Sequence, residues 1–317
     1  YTKDSIRFNQ NSFQTPPPGL GLESNGYTQS QELHTGVFNL NSDWTDNFTT
    51  EFRAFWKDYK RGQDPIFGRG FAQFQVSTAE TSDRATGPGT SNTLATSCPT
   101  GVPQVTFGPD VSRQSNELNS RTFGGLFQAR LQAGDHDIRV FTEYQNTDIF
   151  NLFLQRTAGD YYFDSIADLQ AGNAQRLRYQ NAIPSLDPRE AAAEFGYETY
   201  TFGIQDNWRL TDTLNVVIGA RYDLFGGSER PALNPNFVNR FGFTNQAYIS
   251  GRGLFQPRFG FDWKPTSRLA LRGGVGLFGG GTPDVYVSNS FSNTGFLANT
   301  IDIRQNNNGT FTVPGLT

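Results

Sequence analysis

One stretch restricts the fold more than any other: residues 195–225, FGYETYTFGIQDNWRLTDTLNVVIGARYDLF. Two arms meet at the polar turn Leu210-Thr211-Asp212-Thr213. Before it, Tyr200, Phe202, Ile204, Trp208 and Leu210 form an apolar row against Thr201, Gly203, Gln205, Asn207 and Arg209, with Asp206 a misfit in the apolar row. After it, Leu214, Val216, Ile218, Ala220, Tyr222 and Leu224 alternate with Asn215, Val217, Gly219, Arg221 and Asp223. Only a repeat of two residues sorts the arms this way, which is the period of a strand whose faces meet different surroundings. Each arm has the roughly 9 to 11 residues a tilted strand needs to cross a bilayer, against about 5 to 6 in a usual globular strand.

The same pattern recurs. Hairpins are predicted at about 29–60, 119–150, 195–226 and 254–280, turning at 42–47, 133–136, 210–213 and 264–268. Between them lie long connections, about 61–118, 151–194, 227–253 and 281–317, rich in Gly, Pro, Ser, Thr and Asn. Residues 1–25, with Pro16-Pro17-Pro18-Gly19, read as loop, as do 86–90. Within 164–172 an N-cap candidate, an early acidic residue and a closing Gly predict a short helix.

Loop length therefore follows strand parity, with every short turn at one side of the sheet and every long loop at the other. Outer-membrane barrels have this layout, with short periplasmic turns and longer extracellular loops. Trp44, Trp208 and Trp263 lie beside short turns, where an interfacial aromatic girdle belongs. A sheet in hydrocarbon must satisfy all its backbone groups internally and so must close on itself, with the apolar row toward lipid and the polar row toward a wet lumen. The expected fold is all-β: a transmembrane antiparallel up-and-down β-barrel, of which this chain supplies a segment of about eight strands.

Composition fits. Gly at 34, Phe at 29 and Tyr at 12, with no Met, suits strands and turns. No apolar run approaches the roughly 18 residues of a transmembrane helix. A net charge of -4 and a pI near 5.3 argue against a nucleic-acid partner. Cys98 is alone and reads as a loop thiol with no internal disulfide. The chain starts at Tyr1-Thr-Lys-Asp without Met and reads as a segment of a longer protein.

Residues 255–263, FQPRFGFDW, and 271–283, LRGGVGLFGGGTP, resemble the barrels of TonB-dependent outer-membrane receptors. So do 161–172, YYFDSIADLQAG, and 208–214, WRLTDTL, and the nearest likeness is to the branch carrying a carboxypeptidase-regulatory-like domain before the plug. The resemblance spans about 29–283. It implies a larger barrel of about 22 strands around a plug, with this chain a middle portion. It also implies uptake of a bulky nutrient (iron chelate, oligosaccharide or peptide) through the TonB complex, acting on a plug domain outside this segment.

Sharper motifs weigh little. Gly274-Val-Gly276-Leu-Phe-Gly279 matches G-x-G-x-x-G, but Gly280-Gly281-Thr282-Pro283 follow where a helix must open, so no dinucleotide cofactor is expected. His34 and His136 have no ligand-spaced neighbours, and no metal centre is expected. Asp160, Asp164 and Asp168 read as capping and solubility before they read as a calcium site. No G-x-S-x-G elbow is present, and the chain is not expected to be an enzyme.

Two residue groups are candidates for function. The lumen-row charges Arg53, Arg139, Arg221, Asp223, Arg258 and Arg272 line a passage, hold a plug, or pair in a wet interior. The outer-loop aromatics Tyr161, Tyr162, Phe163 and Tyr248, with Tyr179, Phe237, Phe241 and Phe243, suit ligand capture or packing of the loops on one another. Expected partners are the lipid bilayer, a nutrient ligand and the TonB complex. The rival readings are a passive porin or structural barrel, and a soluble or surface adhesin or carbohydrate-binding protein.

Overall fold

The computed structural model describes residues 1–9, 12–13, 19–78, 103–281, 284–305 and 311–312; Cys98, the 16–18 prolines and residues 86–90 lie outside the described residues. In chain order the strands begin with β1 (Thr2–Phe8), β2 (Ser12–Phe13), β3 (Gly19–Gly21), β4 (Tyr27–Thr45), β5 (Phe48–Pro65) and β6 (Gln73–Ser77). Next come β7 (Gln104–Phe107), β8 (Asn116–Ala133), β9 (His136–Phe153), β10 (Asp160–Phe163), β11 (Arg176–Ala182) and β12 (Ala193–Thr211). The last are β13 (Leu214–Gly226), β14 (Gly253–Thr266), β15 (Leu269–Gly276), β16 (Ala298–Gln305) and β17 (Phe311–Thr312). Three helices, α1 (Ile166–Ala171), α2 (Pro235–Phe241) and α3 (Asp284–Ser292), lie in the connections.

Nine strands form one antiparallel wall, in the order β1-β4-β5-β8-β9-β12-β13-β14-β15. Eight of them are four hairpins, each closed by a two-residue turn. The ninth, β1, was expected to be loop; it pairs with the first residues of β4, from Tyr27 to Leu33. The wall is open, with β1 and β15 at its edges. Among the described residues no helix is long and apolar enough to cross a membrane, which says nothing of strands.

The outward row stays uncovered. Phe52, Phe127, Val140, Phe202, Ile204, Ile218, Phe259 and Leu271 are all exposed, and none of the described residues forms a second layer over them. One side is bordered by Trp44, Trp208 and Trp263 beside the short turns. The opposite border is a second girdle that the sequence reading missed, made of Trp56, Phe123, Tyr144 and Tyr200. Trp56 is paired across strands with Phe123, and Tyr144 with Tyr200. Ring centroids are 5.9 Å apart for Phe123–Tyr144 and 5.2 Å for Tyr144–Tyr200. From Trp208 to Tyr200, at about 3.3 Å per residue and a tilt near 40°, the band is roughly 20 Å tall, close to the ~25 Å of outer-membrane barrels.

Asp206, the misfit of the apolar row, is only half satisfied beside the turn, its Oδ1 being buried without a hydrogen-bond partner. It shares a 2.7 Å hydrogen bond with His136 Nδ1, and the His136 ring stacks 5.1 Å from Trp208. Val216, also in that row, is buried, with Trp208 and Phe261 as its cross-strand partners. A shallow groove of about 390 Å³ between Phe127, Val140, Phe202, Ile204, Tyr222 and Phe255 lies within the band, an apolar contour suited to acyl chains.

Beyond the second girdle the strands continue. β5 runs on to Pro65, β9 runs on to Phe153, and β8 and β12 begin well before it. Their outward row there turns polar: Asp58, Lys60, Arg121, Asp148, Glu194 and Glu198. On this side the connections, read from sequence as loops, build a second sheet in the order β17-β16-β11-β10-β6-β7-β3-β2. It is mixed, with β10 parallel to β6 and β3 parallel to β7. The predicted helix is α1, with Ser165 as its N-cap, accepting from Asp168 N at 3.0 Å, and Gly172 closing it at φ 71°.

Candidate functional site

The inward row of the wall carries the predicted charges, and register decides which of them meet. Counted from the turns, Arg139, Gln205, Gly219 and Arg258 share one rung. Phe141, Gly203, Arg221 and Gln256 form the next, and Glu143, Thr201, Asp223 and Leu254 the one after. Arg139, Arg221, Asp223 and Arg258 therefore gather in one patch. Arg53 stands on the third rung, two strands away across Leu126. Arg272 is apart, opposite Asp262 near the short turns, with Nε donating at 2.9 Å to Asp262 Oδ2.

Within the patch Asp223 is the hub. It accepts from Arg221 Nε at 2.8 Å, Thr201 Oγ1 at 2.7 Å and Gln256 Nε2 at 2.6 Å. Arg221 also donates to Thr201 Oγ1 at 3.3 Å. Thr201 and Gln256 are fully buried, so this corner is a closed polar network that fixes Arg221 in place. Arg139 and Arg258 differ: the Nε of each is buried without a hydrogen-bond partner, while the Arg258 guanidinium lies 4.8 Å over the Phe278 ring. Arg53 donates to Asn39 Oδ1 and Glu51 Oε1, both at 2.8 Å.

Glycines shape the patch. The Phe141 ring lies over Gly203, where a Cβ would sit 2.2 Å from it, so the ring lies against the wall. At Gly219, between Gln205 and Arg258 on their rung, a Cβ would lie 3.1 Å from Ile204 O and 3.4 Å from the Gln205 side chain. The Phe55 ring lies over Gly124 as Phe141 lies over Gly203. The result is a wall of low relief carrying fixed cations and one fixed carboxylate, suited to a polar or anionic surface sliding past it.

Sequence reasoning missed Thr201, Gln256 and Phe141. Thr201 and Gln256 sit on the inward row opposite Asp223 and Arg221, so counting register outward from the turns finds them.

The outer-loop aromatics require correction. Tyr162 and Phe163 are buried in the second sheet. Tyr162 Oη shares a hydrogen bond with Ser77 Oγ at 3.0 Å and donates to Asp164 Oδ1 at 3.0 Å, and Phe163 belongs to a small core with Val76 and Ala174. Tyr161 stacks 5.6 Å from Phe74, which stacks 5.1 Å from Phe107. Rings stacked across neighbouring strands pack these connections against one another. Tyr248 lies under α3 with its ring 5.8 Å from Phe291, and its hydroxyl donates to Gly196 O. Burial pushes that hydroxyl up to about 12, helped by the nearby Glu229 carboxylate. These four tie the connections to each other and to the wall. Phe241 and Phe243 remain exposed, clustered with Phe237.

Asp160, Asp164 and Asp168 do not converge. Asp160 is held by Arg178, Gln73 and Gln75, Asp164 accepts from Tyr162, and Asp168 accepts from Ser165 Oγ and Asn173 Nδ2 within the first turn and the close of α1. Among the described residues no three His, Cys, Asp or Glu side chains are grouped to hold a metal ion. Gly274 and Gly276 lie within β15, and no helix opens at Gly279. A Cβ on Gly274 would sit 2.8 Å from Phe259 O, so close strand approach accounts for that glycine.

The sequence profile of the outer membrane beta barrel domain family matches residues 2–316. Among solved structures, the chain is similar to the outer membrane transporter YddB from Escherichia coli, with TM-score 0.43 and 11% identity over 76% of this chain and 24% of that one. It is also similar to the ferric-catecholate import receptor Fiu from E. coli, with TM-score 0.38 and 12% identity over 88% of this chain and 36% of that one. This chain thus spans well under half the length of either. No curated protein matches it.

Proposed function

The chain belongs to the outer membrane β-barrel domain family, and from that premise we propose that it is one arc of a larger barrel that carries a bulky nutrient through its lumen. Its location is the outer membrane. The open edges at β1 and β15 support the larger barrel, because each unpaired backbone group in hydrocarbon costs several kcal/mol. On this reading the full barrel has about 22 strands, with a plug and a TonB-driven step as in the receptors carrying a carboxypeptidase-regulatory-like domain, since a lumen of that size is not filled by side chains alone.

One observation carries the reading: the inward patch of Arg139, Arg221, Asp223 and Arg258 lies on a wall flattened by glycines, beneath connections folded into a sheet of their own. The substrate class stays open between an iron chelate, an oligosaccharide and a peptide. Uptake by cells expressing the full-length protein, with the proton gradient intact or collapsed, tests it. Uptake that stops on collapse supports an energised receptor, solute flux indifferent to the gradient supports a passive porin, and no flux of any solute sinks transport.

A further inference from the structure

The apolar groove of the outward row runs from β8 to β14, inside both edges of the wall, so neither open edge exposes it. Its floor is made of small side chains. Ala129 and Ala220 share a rung with Val140 and Ile204, and Thr142 lies between Phe127 and Phe202 on the next. Small residues let into a row of bulky ones make a recess with side walls. A chain lying in it gains dispersion contacts on three sides, where a smooth surface offers one.

A carboxylate stands at the end of the groove nearer the connections. Beyond Phe202, on the same row of β12, come Tyr200 and then Glu198, which is half-buried. Tyr200 Oη donates to Glu198 Oε2 at 2.9 Å and Tyr144 Oη to Glu198 Oε1 at 3.4 Å, so each oxygen is held by a hydroxyl and keeps a lone pair. Gly226, its cross-strand partner, makes the room: a Cβ there would lie 2.8 Å from Oε2. The Tyr144 and Tyr200 rings are tilted by 51° and Phe123 meets Tyr144 at 69°, so the three do not close into a stack, and Phe123 is 56% exposed. Among the described residues Glu198 forms no ion pair. Its neighbours on the rung are Asn146 and Gly226, and Asp148 follows Asn146 on the row. Arg121, which shares a rung with Asp148, lies 3.8 Å from Asp58.

We propose that this groove and the carboxylate above it hold one lipid with an ammonium headgroup. The ammonium sits between Glu198 and the Tyr144, Tyr200 and Phe123 rings, and one acyl chain lies down the groove. A cation is attracted by a carboxylate and by the faces of aromatic rings alike, and both attractions strengthen where water is partly excluded. From Tyr200 to Ile204, four residues at about 3.3 Å each give roughly 13 Å of apolar recess, beginning where the headgroup ends. An anionic headgroup has no such place, because Glu198 and Asp148 oppose it. The assignment needs the outer-membrane location and not the transport reading.

The test equilibrates the full-length protein in vesicles of phosphatidylethanolamine and phosphatidylglycerol, in equal amounts and with identical acyl chains. The lipids retained after extraction into mild detergent are counted by native mass spectrometry. Phosphate and chains are common to both lipids, which differ in an ammonium against a glycerol hydroxyl. The wild-type protein is expected to keep the ethanolamine lipid at least about fivefold more often. Equal retention, or a preference for the glycerol lipid, overturns the proposal without recourse to any variant. Glu198→Gln keeps the size of the side chain and is expected to bring the two lipids to parity; a preference that survives it overturns the assignment to this carboxylate. Ala220→Phe fills the floor of the groove and is expected to cut retention of both lipids, and undiminished retention also overturns the site. None of these measurements needs a solute, so a protein that transports nothing sinks the transport reading alone.

Discussion

The wall and the second sheet face opposite demands. In the wall, eight of the nine strands form hairpins closed by two-residue turns, and most of the apolar row is left bare. In the second sheet, strands of two to eight residues come from connections far apart in the chain, two joints are parallel, and the apolar side chains Val76 and Phe163 are hidden. Polar groups are hidden there too: Asp160 is 2% exposed and held by Arg178, Gln73 and Gln75. Lipid satisfies an exposed apolar row and nothing else, while water forces the loops to bury theirs. One chain thus carries two hydrophobic patterns divided by the girdle of Trp56, Phe123, Tyr144 and Tyr200.

The sharpest break of this contrast is a charge in the middle of the band. Ile204→Arg is expected to destabilise the protein by about 2 to 4 kcal/mol in lipid, while Gln205→Arg on the inward row is tolerated. Equilibrium unfolding in vesicles compares them, and equal effects mean that the outward row does not meet lipid. Ile204 is the better probe than Val216 or Leu271, which sit near the short turns.

Close packing inside the wall comes next. A Cβ on Gly124 would lie 2.5 Å from Tyr144 O, which is backbone and cannot yield cheaply, whereas Gly36 faces open space. Gly124→Ala is expected to cost about 1 to 3 kcal/mol and Gly36→Ala less than about 0.5. The same unfolding assay ranks them.

A smaller effect tests the joint between connections and wall. The Tyr248 hydroxyl titrates at about 12 when folded, above its ordinary value near 10. Its contribution is therefore complete below pH ~10 and lost as pH rises toward 12. Tyr248→Phe is expected to cost about 1 kcal/mol at neutral pH and to abolish that alkaline loss, read from exchange in residues 246–252.

The least effect belongs to the second sheet. Arg176 donates to both Asp302 oxygens, at 2.8 and 2.7 Å, and with Arg304 it holds that carboxyl well below the usual carboxylate range. A depressed folded value means the stabilisation is present above the ordinary carboxylate value near 3.9 and fades only as pH falls through the depressed one. Exchange in β16 should stay flat from neutral pH down to about 4 in the wild type. Asp302→Asn should loosen β16 by about 0.5 to 1 kcal/mol and leave the wall unchanged.

Much of the wall was legible in the sequence. Alternation with period two, short turns and long arms identified its hairpins, because each strand pairs with the next and its register is set locally. The inward charges were legible as a row but not as a patch; only pairing across four strands puts Arg139 and Arg258 on one rung and leaves Arg272 out. The strand β1 was missed because Thr2–Phe8 alternates only weakly, and it is a strand because the edge of β4 is there to pair with it. For Tyr162 and Phe163 the sequence left ligand capture and loop packing open, because an aromatic pair in a polar connection looks the same whether it meets a ligand or a neighbouring loop.

By itself the sequence determined which solvent each face of the long hairpins meets, since alternation is written residue by residue and needs no distant partner. The tertiary structure alone decided that the connections fold into a sheet and that α3 turns back over β12. Those contacts join residues up to about 140 positions apart, such as Asn151 and Ser288. Their stability comes from loop closure and shared burial, which no local period records.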